Sequence, residues 1–268
     1  MLQRVGEHPV PAGPLAVRWL ARDLGRLRAG ALHRIPVALE NAGTAPWREL
    51  KLSYHWLDPL GNAVVWDGLR TEIGRVEPGT QLEVEVLVRA PTPPGRYRLA
   101  FDLVLEHRYW LGEIGNVPLD EAVAVEPRIE RRPAATGLAT TAVLRGQEEP
   151  LVAVEEAEAV AHLAPGVEPP PDWSRLVLDA HQEGFALVGG SIAADRRPFR
   201  RGRRSLTPWA PGTGRVPGFP HPLLCPSAVR GVEPEWVDEV EGLPAARAPG
   251  GEPWLYDGRI AIRLARRD

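Results

Sequence analysis

Alternation of apolar and polar residues in the first half of the chain is the feature that most limits its fold. In four segments the side chains that would share one face are mostly apolar and recur at every second position: 33–39, 50–56, 82–88 and 97–105. Successive side chains of a β-strand point to opposite faces, so a period of two predicts strands with one buried face. Shorter apolar runs raise the predicted number of strands to seven, at 17–20, 64–66 and 122–125.

Turn-forming residues separate these predicted strands. Gly, Pro, Asn and Asp cluster between them at 41–43, 58–62, 78–79 and 93–95. About seven short alternating strands with regular turns are typical of an Ig-like or fibronectin-type sandwich. We therefore expect residues 1–127 to form an Ig-like β-sandwich, in which Tyr97 bonds back to the backbone at a strand entry, as in a tyrosine corner.

Composition excludes several classes of protein. The 268 residues include 27 Gly and 29 Pro, about 21% against roughly 12% in average proteins, which favours turn-rich β structure over a helical bundle. The single cysteine, Cys225, excludes a disulfide framework and a cysteine-based zinc site. A net charge of −3 argues against nucleic acid as a partner. No apolar run has the length of a transmembrane segment or of a signal-peptide core, so we expect a cytoplasmic protein.

The second half of the chain follows a different pattern. Residues 128–150 lack periodicity and are predicted to be a linker. Residues 151–268 are predicted to form a small, irregular α/β domain with long loops rich in Pro, Gly and Arg, so that the whole chain is mainly β with α/β. A final strand is predicted at 260–264, after an Asp-Gly turn at 257–258.

The clearest elements of this domain form a strand–helix–strand unit. Apolar runs at 159–163 and 185–188 are predicted strands, and a Gly-Gly pair closes the second. Between them Asp172 is predicted to cap a helix that ends at Gly184. Such a βαβ unit implies that its two strands are parallel.

Four motifs of the first half carry a resemblance to a known kind of module. They are NAGTAPW at 41–47, LSYHWLD at 52–58, WDGLRT at 66–71 and PGRYRL at 94–99. Through them residues 15–127 resemble bacterial Ig-like modules that are appended to cell-surface polysaccharide glycosyltransferases and export proteins. The resemblance implies an accessory module that handles glycan.

A second resemblance covers residues 160–192, which are similar to a degenerate segment of family-2-type glycosyltransferases. It rests on PDW at 171–173 and VGG at 188–190. In that family an acidic loop that precedes the PDW motif holds a divalent metal on a nucleotide diphosphate, whereas this chain has only Glu168 there. One carboxylate does not replace a pair of hard oxygen ligands, so we expect no metal, no cofactor and no catalytic residue.

Aromatic side chains are the candidates for glycan binding, because their faces stack on the C–H surfaces of sugars. Trp56 shares the apolar face of its predicted strand and Trp47 ends the sandwich, so both are expected in the core. Trp66, Tyr109 and Trp110 lie near predicted loops, and we predict that these three bind glycan.

Charged residues of the second half give further candidates. Residues 196–204 hold six arginines in nine positions, which cannot be buried without partners. The predicted anion-binding residues are Arg200, Arg201, Arg203 and Arg204. A solvated loop, or pairing with the acidic residues of 128–195, is the alternative. His162 and His181 are expected to be structural.

These observations favour a non-catalytic accessory protein of bacterial cell-surface polysaccharide synthesis, which binds glycan or a glycosyltransferase partner protein. Two alternatives remain open. One is a glycosyltransferase-like enzyme, degenerate or completed by a partner chain, and the other is a structural assembly protein.

Overall fold

The chain is mostly β, in several sheets, and divides into two units. The computed structural model describes residues 1–130, 138–144, 147–150, 157–164, 167–193, 214–240 and 243–264. Contacts divide the chain into Met1–Glu126 and Pro127–Asp268. No helix in the described part of the chain has the length and apolar character that crossing a bilayer requires.

The first unit contains eleven strands in two sheets. The strands are β1 (Gln3–Arg4), β2 (Val17–Arg22), β3 (Leu27–Arg28), β4 (Leu32–Asn41), β5 (Leu50–Leu57), β6 (Ala63–Val65), β7 (Thr71–Glu72), β8 (Gln81–Arg89), β9 (Gly95–Leu105), β10 (Tyr109–Trp110) and β11 (Leu119–Glu126). One sheet has the order β1-β2-β4-β8 and the other β3-β11-β9-β5-β6, with β10 on β9 and β7 on β5. All pairs are antiparallel except β3 with β11. A 3-10 helix follows β10 at Leu111–Ile114.

The two sheets of this unit enclose one apolar core. It collects the alternating residues of both sheets, among them Ile35, Val37, Val86, Leu52 and Phe101. Trp47 and Trp56 are fully buried in it, which confirms the prediction for both. The Tyr97 hydroxyl donates to the carbonyl oxygen of Pro93 at 2.6 Å, so the predicted bond to the backbone is also present.

We expect residues 1–127 to fold without the rest of the chain. The unit has its own core, and a domain of this length buries enough surface for independent stability. An isolated 1–127 fragment should therefore unfold in one cooperative thermal transition, with the same midpoint by tryptophan fluorescence and by circular dichroism. A gradual melt, or midpoints that differ between the two signals, would contradict this prediction.

The second unit contains one α-helix and two sheets in its described residues. Its elements are β12 (Leu138–Leu144), β13 (Gln147–Pro150), β14 (Ala159–Leu163), β15 (Val167–Glu168), α1 (Trp173–Glu183), β16 (Leu187–Ala193), β17 (Arg215–Pro217), β18 (Leu223–Leu224), β19 (Ser227–Val229), β20 (Glu235–Val240), β21 (Leu243–Arg247) and β22 (Trp254–Leu264). The larger sheet has the order β13-β12-β14-β19-β16-β22-β15, with β17 on β22. The smaller sheet has the order β18-β21-β20.

The predicted strand–helix–strand unit is present, with one strand inserted between its two strands. Helix α1 follows Asp172 and ends before Gly184, and it buries Trp173, Val177 and Ala180 as its spacing predicts. Strands β14 and β16 both pair antiparallel with β19. They therefore run in the same direction without being neighbours.

Residues of the predicted linker contribute two strands to the larger sheet. Within 128–150, β12 pairs with β14 in parallel and with β13 antiparallel. This segment has no alternation of its own in the sequence. It forms a strand because β14 supplies its hydrogen-bond partners, which is a tertiary contact that local sequence does not encode.

Two breaks predicted in the second unit are wrong, because the strands continue through them. Strand β16 runs through Gly189 and Gly190, and β22 runs through Asp257 and Gly258. The two strands pair in parallel along this stretch. A Cβ at Gly190 would lie only 1.7 Å from the carbonyl oxygen of Ile260, so glycine here permits close approach of two backbones rather than ending a strand.

Candidate functional site

The outer face of the seven-stranded sheet is buried where β5 pairs with β9. Side chains that alternate with the core residues point to this face, and a strand with one buried face would leave them in solvent. Instead Ser53, His55 and Asp102 are only 0%, 3% and 2% exposed. Further segments of the chain therefore cover this part of the sheet.

The covering layer includes two short segments. One carries Trp66 and is called the Trp66 segment, and the other carries Trp110. The His55 ring contacts both indoles. Its centroid lies 4.1 Å from that of Trp66, with 24° between the rings, and 4.2 Å from that of Trp110. The two indoles are 6.4 Å apart. The structure thus brings two of the three predicted glycan-binding residues together, around a histidine that the sequence motifs do not single out.

Gly68 lets the Trp66 segment lie directly on the sheet. Its N–H donates to the carbonyl oxygen of Tyr54 at 3.0 Å. A Cβ on residue 68 would lie 2.5 Å from the same oxygen. Any other residue would therefore lift this segment from β5 and displace Trp66 from His55.

The guanidinium of Arg70 fixes the same segment. It donates to Asp67 at 2.9 Å, Glu106 at 2.8 Å, Ser53 Oγ at 3.0 Å and the Gly68 carbonyl oxygen at 2.7 Å. Its Cζ atom also lies 4.7 Å from the centroid of the Trp110 ring, within the range of a cation–π contact. Arg70 is therefore bound on several sides and ties β5, β9 and both covering segments together.

A cavity of about 390 Å³ opens beside these aromatic rings, and we call it the Trp66 cavity. Small-molecule sites in proteins measure roughly 300–1,000 Å³. Its lining residues include His55, Trp66, Asp102, Trp110, Glu113, Val117 and Asp120. Trp66 is 49% exposed, whereas Trp110 is 8% exposed. Trp66 therefore offers indole surface to a ligand, while the His55 ring stacks on it and Trp110 contacts it edge-on.

Burial changes the protonation of the two ionisable side chains at the floor of this cavity. Desolvation raises the pKa of Asp102 to about 6, although the N–H groups of Leu103 and Gly112 donate to its two oxygens at 2.7 and 3.0 Å. Desolvation also lowers the pKa of His55. The imidazole is therefore neutral near pH 7, and the carboxyl group can gain or lose a proton at mildly acidic pH.

Tyr109 lies apart from the Trp66 cavity. It is half-buried against the core of the unit and lines a neighbouring cavity of about 410 Å³, together with Arg70, Glu106 and Trp110. Adjacent residues of a strand point to opposite faces, which separates Tyr109 from Trp110. Trp66 and Trp110 thus line the same cavity, as do His55, Asp102 and Glu113. The sequence patterns do not identify the last three residues as site residues.

His162, His181 and Ser227 of the second unit are buried. His181 Nδ1 bonds to the Phe185 carbonyl oxygen at 2.7 Å, and its Nε2 lies 2.9 Å from Ser227 Oγ. Both side chains are fully buried, so this serine–histidine pair has no access for a substrate. Burial lowers the pKa of His181 and of His162 to about 4.

Neither Cys225 nor the predicted anion-binding arginines contribute a site in the described part of the chain. Burial raises the pKa of the Cys225 thiol to about 11, which keeps it unreactive. The predicted anion-binding residues Arg200, Arg201, Arg203 and Arg204 lie outside the described residues. In the described ranges no group of three His, Cys, Asp or Glu side chains is arranged to hold a metal ion.

No protein-family model matches the chain, and no curated protein matches it. The geometry of the site and the sequence motifs therefore carry the functional conclusion.

Proposed function

We propose that the chain is a non-catalytic, glycan-binding accessory protein and that the Trp66 cavity is its glycan site. The observation that carries this proposal is the half-exposed indole of Trp66 at the edge of a cavity with carboxylates in its wall. Sugars have apolar C–H faces and a rim of hydroxyl groups. An aromatic face beside hydrogen-bond acceptors matches both parts.

For the fold of each unit we propose the class that the sequence patterns predict. The first unit is an Ig-like or fibronectin-type sandwich, supported by its two sheets around one core and by the Tyr97 bond. The second unit is a small α/β domain, supported by its parallel β14 and β16 with α1 between them in sequence. The resemblance of residues 15–127 suggests bacterial cell-surface polysaccharide synthesis as the setting, with a glycosyltransferase as partner protein.

A binding measurement with one substitution tests the glycan site. Trp66→Ala should weaken binding of an oligosaccharide roughly 30-fold, since removing an aromatic anchor from a binding site costs about 2 kcal/mol. Calorimetry with a panel of bacterial oligosaccharides measures this loss. Trp236→Ala is the matched control, because Trp236 is similarly exposed at 43% but lies in the second unit.

Three outcomes would count against the proposal. The first is a panel in which no oligosaccharide binds. The second is an equal loss of affinity in the Trp66 and Trp236 variants. The third is Mg²⁺-dependent binding of a nucleotide sugar, which would instead support the glycosyltransferase-like alternative.

A further inference from the structure

The side-chain polar groups that line the Trp66 cavity are mostly hydrogen-bond acceptors. Asp102, Glu113 and Asp120 contribute carboxylates. Among the described residues that line it, none is Lys, Arg, Asn, Gln, Ser or Thr. The side-chain donors in the lining are the indole N–H groups of Trp66 and Trp110 and one ring N–H of His55. A ligand rich in donors therefore suits this cavity better than one rich in acceptors.

His55 adds a further acceptor that has no partner among the described residues. Its Nδ1 contacts the carbonyl oxygen of Trp66, and because a carbonyl oxygen only accepts, Nδ1 carries the proton. In the neutral ring Nε2 is then an acceptor. It has no hydrogen-bond partner among the described residues, although His55 is only 3% exposed and lines the cavity. Solvent reaches Nε2 from the cavity, and a donor on a ligand would replace water there.

Two of the three carboxylates also form no ion pair with the described residues. Asp120 pairs with Arg98. In the described structure Asp102 accepts only backbone N–H groups, and Glu113 accepts only the N–H of Trp110, at 3.0 Å. The nearby Glu113 charge also opposes ionisation of Asp102. A cationic group in the cavity would relieve this repulsion and stabilise the ionised carboxylate.

We propose that the Trp66 cavity selects a sugar unit with a free, protonated amino group, such as glucosamine without its acetyl group. An ammonium group offers three N–H donors, and His55 Nε2 and the carboxylates of Asp102 and Glu113 can accept them. The sugar ring packs on Trp66, and an ammonium close to an indole gains a cation–π contact. This inference rests on the proposed function and adds its substrate class. A bare metal ion does not suit the cavity, because no three of the described ligand-type side chains are arranged to hold one.

Calorimetry with two matched probes tests this selectivity on the full chain near neutral pH. The probes are a tetramer of glucosamine and a tetramer of N-acetylglucosamine. The glucosamine tetramer should bind at least roughly 10-fold more tightly, since a hydrogen bond in which donor and acceptor are both charged is stronger than a neutral one. Glu113→Gln should remove most of this preference, because it should weaken binding of the glucosamine tetramer more than binding of the acetylated tetramer. The glutamine oxygen can still accept the N–H of Trp110, so the local fold is kept.

Glu83→Gln is the control for net charge. It removes the same charge from β8 of the other sheet and should leave both affinities unchanged. Equal, Trp66-dependent binding of the two tetramers would overturn the amino-sugar inference while the glycan proposal stands. Equal losses in the Glu113 and Glu83 variants would also overturn it, because the attraction would then be non-specific. Absence of binding to any oligosaccharide would instead overturn the glycan proposal itself.

Discussion

Acidification from about pH 7 to about pH 5 should lower the free energy of unfolding of the second unit by about 4 kcal/mol. His162 and His181 are 7% and 0% exposed, and burial lowers the pKa of each from 6.5 to about 4. The unfolded chain therefore binds protons that the folded unit does not. The stability that the two neutral rings contribute is complete above pH 6.5 and declines as the pH falls towards about 4. Each ring loses about 2 kcal/mol by pH 5.

Hydrogen exchange measured by mass spectrometry on the full chain can follow the two units separately. Peptides of the second unit should lose protection between pH 7 and about pH 5 after correction for the intrinsic exchange rate. In the first unit acidification changes the free energy of unfolding in opposite directions through the raised pKa of Asp102 and the lowered pKa of His55. A smaller loss of protection is therefore expected there. His221→Gln, at an exposed histidine of the second unit, should not change the pH response. Equal protection of the second unit at both pH values would show that its histidines are not buried as described.

Gly190→Ala should unfold the second unit or destabilise it by more than about 4 kcal/mol, which is exceptional for a single substitution. The new Cβ would lie 1.7 Å from the carbonyl oxygen of Ile260 and 2.6 Å from its carbonyl carbon. Backbone atoms held in a sheet cannot move aside as a flexible side chain can. Strand β16 would have to separate from β22, which is its partner along most of its length.

Urea unfolding of the full chain measures this effect. Gly250→Ala is the matched control, because a Cβ at the exposed Gly250 would have no atom within 4 Å. That variant should stay within about 0.5 kcal/mol of the parent. A Gly190→Ala protein as stable as the control would mean that β16 and β22 do not approach each other as closely as described.

The sequence predicts strands well where one face of a strand is apolar. The alternation at 33–39, 50–56, 82–88 and 97–105 corresponds to β4, β5, β8 and β9. It does so because a period of two is a local property of the chain. Helix α1 is likewise predicted by its apolar spacing and by Gly184 at its end. Strand β12 escapes prediction because its partner β14 lies outside the segment.

The candidate site is predicted only in part, for the same physical reason. Trp66 and Trp110 are recognisable because large aromatic residues near loops are uncommon. His55 and Asp102 occupy the polar positions of alternating strands, and such positions ordinarily face solvent. Their burial depends on two segments distant in sequence that fold over β5 and β9. Short-range patterns do not reveal such a covering layer.

The several hydrogen bonds of Arg70 have a consequence for the thermodynamics of ligand binding. They hold the Trp66 segment in one conformation before any ligand arrives. A ligand that packs on Trp66 then restricts few additional torsions of the protein, so little conformational entropy is lost on association. The heat capacity change of binding should accordingly be small and negative, in proportion to the indole surface that the ligand covers.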